Sequence, residues 1–273
     1  MTEMTEIMKF LSKNMKQVFL LLFSVLIISC SDKEQNRSQL EVCQSHYKAE
    51  SYLVAVKECE IAANQDISEA QWILAHIYRY DLNKEGADIE KAFSWYLSAA
   101  ELGHVEAMRE VGTAYLFESG VAKDYEKAFL WLSKAAKFED TLAEFSIGTM
   151  YFNGDGREKD IASAINWFKR AAVNGHPMSI NNLAWIFATS RNKAFYNPKK
   201  ANYWVSKMNS KMSEISMFID TQAAVKASLG EFEEAIRLQN LAIAALPEDT
   251  PEQELLEYQK HLESYQNNEA WNE

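Results

Sequence analysis

The chain has 273 residues, enough for a sizeable core, with 28 Lys plus Arg against 39 Asp plus Glu and a net charge of −11. A surface this acidic argues against nucleic-acid binding, which draws its affinity from Lys and Arg on phosphates. Only four prolines and nine glycines punctuate the chain, which fits an all-helical protein.

In chain order, the first feature is the apolar run Val18 to Ile28, preceded by Lys9, Lys13 and Lys16. Its 11 residues are too few for an ordinary membrane span of about 20. A basic lead and a short apolar core fit a secretory signal. The run ends in Ile27-Ile28-Ser29-Cys30, which resembles the lipobox of bacterial lipoproteins. The resemblance implies cleavage before Cys30, lipidation of Cys30 (the source of a palmitate expectation) and a stable anchor made of several acyl chains. Ser31, following Cys30, implies the outer membrane, facing the periplasm. The alternative is a plain signal peptide with a chance cysteine. Met8 and Met15 are alternative starts. Residues 1–29 are thus read as signal peptide and 30–38 as a polar tether.

Residues 39–66 read as an opening helical hairpin, about 39–48 and 52–64. Cys43 and Cys59 lie equally far from its turn, so facing positions on antiparallel helices predict a disulfide, with two buried free thiols as the alternative. Their spacing is not that of a redox pair.

From residue 67 four columns recur together at offsets of 36 or 37 residues. An aromatic column holds Tyr78, Tyr115, Tyr151 and Phe187. A small-residue column holds Ala75, Gly112, Gly148 and Ala184. A third holds Ala92-Trp95, Ala128-Trp131 and Ala164-Trp167. The fourth is an alanine pair: Ala99-Ala100, Ala135-Ala136 and Ala171-Ala172. One such hairpin cannot bury its apolar stripe alone, so copies stack. The repeated tryptophans are read as core. The central stretch Ala107–Ala136 predicts helices over about 106–117 and 124–137.

This pattern resembles the Sel1-like repeats, relatives of the tetratricopeptide repeats: Ala-x(3)-Leu-Gly-x(2)-Tyr, a Gly-x-Gly turn, then Asp-x-x-Lys-Ala-x-x-Trp-Tyr-x-x-Ala-Ala. It is matched closely at Ala107–Ala136 and with departures at Ala70–Ala100 and Ala143–Ala172. The resemblance implies a right-handed all-α solenoid of stacked helical hairpins. Three Sel1-like repeats are assigned to 67–176 and tetratricopeptide-like repeats to 177–247. A capping helix and tail follow over 248–273, with Leu255, Leu256, Tyr258, Leu262 and Tyr265 on the helix's apolar side and the tail frayed.

No phosphate loop, zinc-protease motif or nucleophile elbow is present. His104 and His176 share one inter-repeat slot, which reads as structural and not metal-binding. Asn153–Gly156 reads as a hairpin turn, not a calcium loop. No catalytic residue, metal or cofactor is expected, and no enzyme activity. In the resembling families the first helix of each repeat lines a concave face. Its variable stripe is Trp72, His76 and Arg79; Arg109 and Thr113; Phe145, Thr149 and Phe152; Asn181 and Trp185. Aromatics and arginines are enriched at binding hot spots. The expected function is a lipid-anchored periplasmic scaffold that grips a protein or peptide segment, apolar with acidic character to meet Arg79 and Arg109. The alternative is a structural subunit of an envelope export or polysaccharide-secretion assembly.

Overall fold

The computed structural model describes residues 35–272. The signal segment, Cys30 and the start of the tether lie outside these residues. Every regular element among them is helical: α1 (35–48), α2 (Tyr52–Ala63), α3 (Ser68–Arg79), α4 (Ile89–Glu101), α5 (Val105–Phe117), α6 (Tyr125–Ala136), α7 (Thr141–Asn153), α8 (Ile161–Val173), α9 (Pro177–Thr189), α10 (Pro198–Val205), a 3₁₀ turn (Met212–Glu214), α11 (Ser216–Ser228), α12 (Phe232–Ala244) and α13 (Glu252–Gln266). The fold is an all-α repeat fold. The chain divides into two compact units, one ending at Lys123 and one beginning at Asp124.

In the N-terminal unit each helix packs on the next, α2 on α3, α3 on α4 and α4 on α5. The alanine pairs Ala62-Ala63 and Ala99-Ala100 are buried, where small side chains let helix backbones approach. Cys43 and Cys59 are bonded, with Cα atoms 4.7 Å apart and a sequence separation of 16. Closing a loop of this size constrains the unfolded chain by about 3 kcal/mol in the chain-entropy model.

In the C-terminal unit α6 to α9 again pack in succession, and α11 packs on both α9 and α12. The core gathers Phe168, Leu183, Phe187, Trp204 and Phe218. Arg170 on α8 joins three elements. Its Nε donates to Glu144 Oε1 on α7 at 2.8 Å, and its Nη2 donates to the carbonyl of Ala136 at the end of α6 at 3.0 Å.

The repeats set their helix ends by side-chain capping. Asp88, Asp124, Asp160 and Asn197 accept from the backbone N–H three residues on, at the starts of α4, α6, α8 and α10. Such a cap satisfies an amide that the helix itself leaves unpaired. The capping residue's own N–H donates to the aromatic column's carbonyl: Asp88 to Tyr78, Asp160 to Tyr151 and Asn197 to Phe187. The loop between is therefore free to vary in length while its end stays fixed. In the first repeat it is irregular, with Asp81 and Lys84 at positive φ and Asp81 Oδ1 accepting from Gly86 N–H.

Two glycines are required by close approach. Gly120 sits at φ +73°, and a Cβ there would lie 2.4 Å from the carbonyl oxygen of Ile89. Gly148 is helical, and a Cβ there would lie 2.6 Å from the Phe168 ring. Asn153–Gly156 forms the end of α7, with Gly154 left-handed and its N–H donating to the Met150 carbonyl, as a hairpin turn requires.

The tryptophan column differs from the expectation. Trp131 is buried, but Trp95 and Trp167 are only half-buried. The fully inward column is one residue later: Tyr96, Leu132 and Phe168. Cations lie over the tryptophan faces, Lys134 Nζ at 3.6 Å from Trp131 and Arg170 at 4.6 Å from Trp167. Tyr96 is deep enough that burial pushes its phenol well above the usual range.

At the end of the chain α13 buries Tyr258 and Tyr265 as expected, but it also buries His261, and Leu256 is exposed. The tail is docked, not frayed: Arg191 Nε donates to the Asn272 carbonyl at 3.2 Å, and the Trp271 ring lies 4.6 Å from that of His261.

Candidate functional site

The stripe expected on the first helix of each repeat falls into two groups, one in each unit. In the N-terminal unit Trp72 and His76 are one turn apart on α3 and their rings stack at 5.3 Å. Trp72 also stacks with His104, ring centroids 5.6 Å apart and 12° from parallel. His76 continues the row to Tyr80 at 4.6 Å and to Tyr47, whose hydroxyl lies 2.8 Å from His76 Nδ1. The result is an aromatic row across α1, α3 and the start of α5, half-buried except at the exposed Tyr80. Trp72 Nε1 is shielded from water and has no hydrogen-bond partner.

His104 is fixed by two bonds. Its Nδ1 accepts from the backbone N–H of Ala107, so the proton of the neutral ring sits on Nε2, which faces Glu69 Oε2 at 3.0 Å. That bond holds the Glu69 carboxyl below its usual range. Burial pushes His76 down as well. His176 occupies the equivalent place at α9, its Nδ1 accepting from Ser179 N–H at 3.2 Å. The shared slot is thus a helix cap.

Arg79 and Arg109 stand beside this row, but both turn to one carboxylate. Arg79 Nη1 lies 3.4 Å from Glu110 Oε2 and Arg109 Nη2 lies 3.0 Å from Glu110 Oε1. Glu110 therefore offsets much of the positive charge that the sequence set aside for an acidic segment. Thr113 is half-buried one turn after Arg109.

In the C-terminal unit Phe145 lies against Phe168 and 4.5 Å from His176, and Phe152 lies 6.4 Å from Phe168. Both phenylalanines are partly buried against the core. Thr149 Oγ1 donates back to the Phe145 carbonyl within α7. Asn181 is 5% exposed, and Trp185 is half-buried with its ring 5.5 Å from that of His261.

Sequence reasoning missed the partners of these groups. Tyr47, Tyr80 and Glu110 complete the N-terminal row. Asp220, Gln239 and His261 form a buried network behind Asn181 and Trp185. Asp220 and His261 are 41 residues apart on different helices, so no local spacing could announce them. A signal existed only in His261, a polar residue placed where α13 must pack.

Among the described residues there is no group of three or more His, Cys, Asp or Glu side chains arranged to hold a metal ion. No described helix is long and apolar enough to cross a membrane.

Comparison with curated proteins gives no match. Among solved structures, a Sel1 repeat protein from Oxalobacter formigenes is similar at 22% identity and a TM-score of 0.61, covering 81% of this chain and 96% of that one. A protective antigen present in uropathogenic Escherichia coli strains, displaying an SLR fold, is similar at 22% identity and a TM-score of 0.63, covering 85% of this chain and 54% of that one. At such identity the likeness concerns the fold. The family model of the Sel1 repeat matches four consecutive segments, 68–104, 105–137, 141–176 and 177–209. The fourth lies in the stretch read as tetratricopeptide-like. With just over half its length in these four matches, the chain belongs to the Sel1 repeat family.

Proposed function

We propose that this chain is a lipid-anchored scaffold at the outer membrane, facing the periplasm, that binds a protein partner through the first-helix stripe of its repeats. Sel1 repeat chains are generally protein-interaction scaffolds and not catalysts. The observation that carries the reading is the row Tyr47–Trp72–His76–Tyr80. It gives a broad, pre-ordered aromatic surface, and such surface is immobilised at little entropic cost on binding. Because Glu110 sits between Arg79 and Arg109, the partner segment this surface suits is apolar first, with any acidic character secondary. The apolar run Val18–Ile28 and the motif ending in Cys30 support the anchor.

Two experiments test the parts separately. Cys30→Ala should abolish incorporation of radiolabelled fatty acid, and equal labelling would refute the anchor. Trp72→Ala combined with Thr113→Asp should abolish partner recovery from detergent-solubilised membranes while circular dichroism stays unchanged. Recovery at wild-type levels would refute the stripe.

A further inference from the structure

Two residues of the first-helix stripe, Phe152 on α7 and Trp185 on α9, line one slot in the C-terminal unit. Its volume is about 400 Å³, within the roughly 300–1,000 Å³ that receives a compact ligand or an anchoring side chain. Ile161 at the start of α8 and Phe195 in the loop after α9 extend its apolar lining. Phe152, Ile161, Trp185 and Phe195 are each half-buried, so each keeps surface open to a ligand.

The charge of the slot is one-sided. Lys159 and Arg191, both exposed, line it, and no aspartate or glutamate does. Neither cation is paired with a carboxylate among the described residues. Both are nevertheless held in place. Lys159 Nζ lies 5.0 Å from the centroid of the Phe152 ring, and Arg191 Nε donates to the Asn272 carbonyl at 3.2 Å. Side-chain oxygens of the lining serve the protein itself: Thr189 Oγ1 donates to the Trp185 carbonyl at 2.9 Å, and Asn192 Oδ1 accepts from Ala194 N–H at 2.9 Å. The slot thus offers aromatic surface beside two cations. The N-terminal part of the stripe differs, because there Glu110 answers Arg79 and Arg109.

We propose that this slot receives an aromatic side chain of the protein partner, with an acidic residue next to it in the partner's sequence. A ring entering among Phe152, Trp185 and Phe195 gains offset or edge-to-face contacts as well as burial. A carboxylate one residue along the same segment then meets Lys159 or Arg191. The whole chain carries a net charge of −11 and repels anions at long range. A preference for an acidic segment must therefore come from a local group such as these. The inference rests on the stripe facing a partner, and it places the partner's acidic character here and not at Arg79 and Arg109.

The test uses the full chain and defined probes. Isotope-labelled protein is titrated at low salt with the blocked tripeptide glutamyl-phenylalanyl-glutamate, with its glutamine-flanked counterpart, and with the counterpart carrying alanine in place of phenylalanine. The first peptide should shift the Trp185 indole and Phe195 amide resonances. Glutamine flanks should weaken binding about fivefold, the upper end for exposed ion pairs, and high salt should remove the difference. Alanine in place of the ring should remove the shifts. Lys159→Glu, at an exposed position, should abolish the preference for glutamate flanks while the ring still binds. Partner recovery through Trp72 and Thr113 is a separate readout, so a failure here leaves the stripe reading standing and a failure there leaves this titration interpretable. No shift at Trp185, shifts that survive loss of the ring, equal affinity for the two phenylalanine peptides, or a preference that survives Lys159→Glu would overturn the proposal.

Discussion

Glu144 and Arg170 form an ion pair in which one partner is buried and the other is not. The N···O distance is 2.7 Å, with the Glu144 side chain 2% exposed and the Arg170 side chain 48% exposed. Burial raises the Glu144 carboxyl above its usual range, and Arg170 draws it back. Arg170→Ala would strand a buried carboxylate and should cost about 3 kcal/mol at pH 7 to 8. The penalty belongs to the ionised form. As the pH falls through the raised folded pKa, the folded variant takes up a proton before the unfolded chain does, and stability returns. The gap between wild type and variant in chemical denaturation should therefore narrow towards pH 5. A constant gap across that range would show that Arg170 acts by packing alone.

Gly148 marks where α7 comes closest to Phe168. Gly148→Ala would ordinarily favour a helix. Here the added methyl meets a ring that is fully buried and cannot move aside. The substitution should destabilise by about 1–3 kcal/mol. An unchanged or raised melting temperature would show that the helices part without cost.

His176 caps α9 only while its Nδ1 is unprotonated. Burial holds it below the ordinary histidine range. The unfolded chain takes up its proton near pH 6.5, the folded chain lower, so stability falls as the pH drops from about 6.5. Asp140 fills the same slot at α7, accepting from Ala143 N–H at 2.8 Å. His176→Asp should keep the cap and flatten the fall in melting temperature between pH 7.5 and 5.5. Parallel pH curves for the two proteins would place that sensitivity in another group.

The fold was legible because its signals are local and repeated. Alanine pairs and turn glycines each act within one hairpin, and columns recurring together kept the register unambiguous. The disulfide was legible from symmetry about a single turn. What escaped was set by neighbours far off in sequence. The tryptophan column reads as core by periodicity, yet Lys134 and Arg170 cover tryptophan faces and Leu132 and Phe168 take the interior. On α13 the expected Tyr258 and Tyr265 are buried, but Asp220 also draws in His261, and Leu256 is exposed. The arginines of the stripe read as free charges because Glu110, adjacent to Arg109, gives no sequence sign that it reaches Arg79 as well. The stripe itself was legible as positions, not as partners.

Binding of a protein partner along the first-helix stripe is tested most directly by a photo-crosslinking residue placed in living cells at Thr113. A second copy of the experiment places it at Leu130, which is exposed on the second helix of a repeat. Crosslinked adducts should form from Thr113 and be absent from Leu130. Adducts from Leu130 alone, or from neither position under conditions in which the wild-type chain recovers a partner, would contradict the assignment.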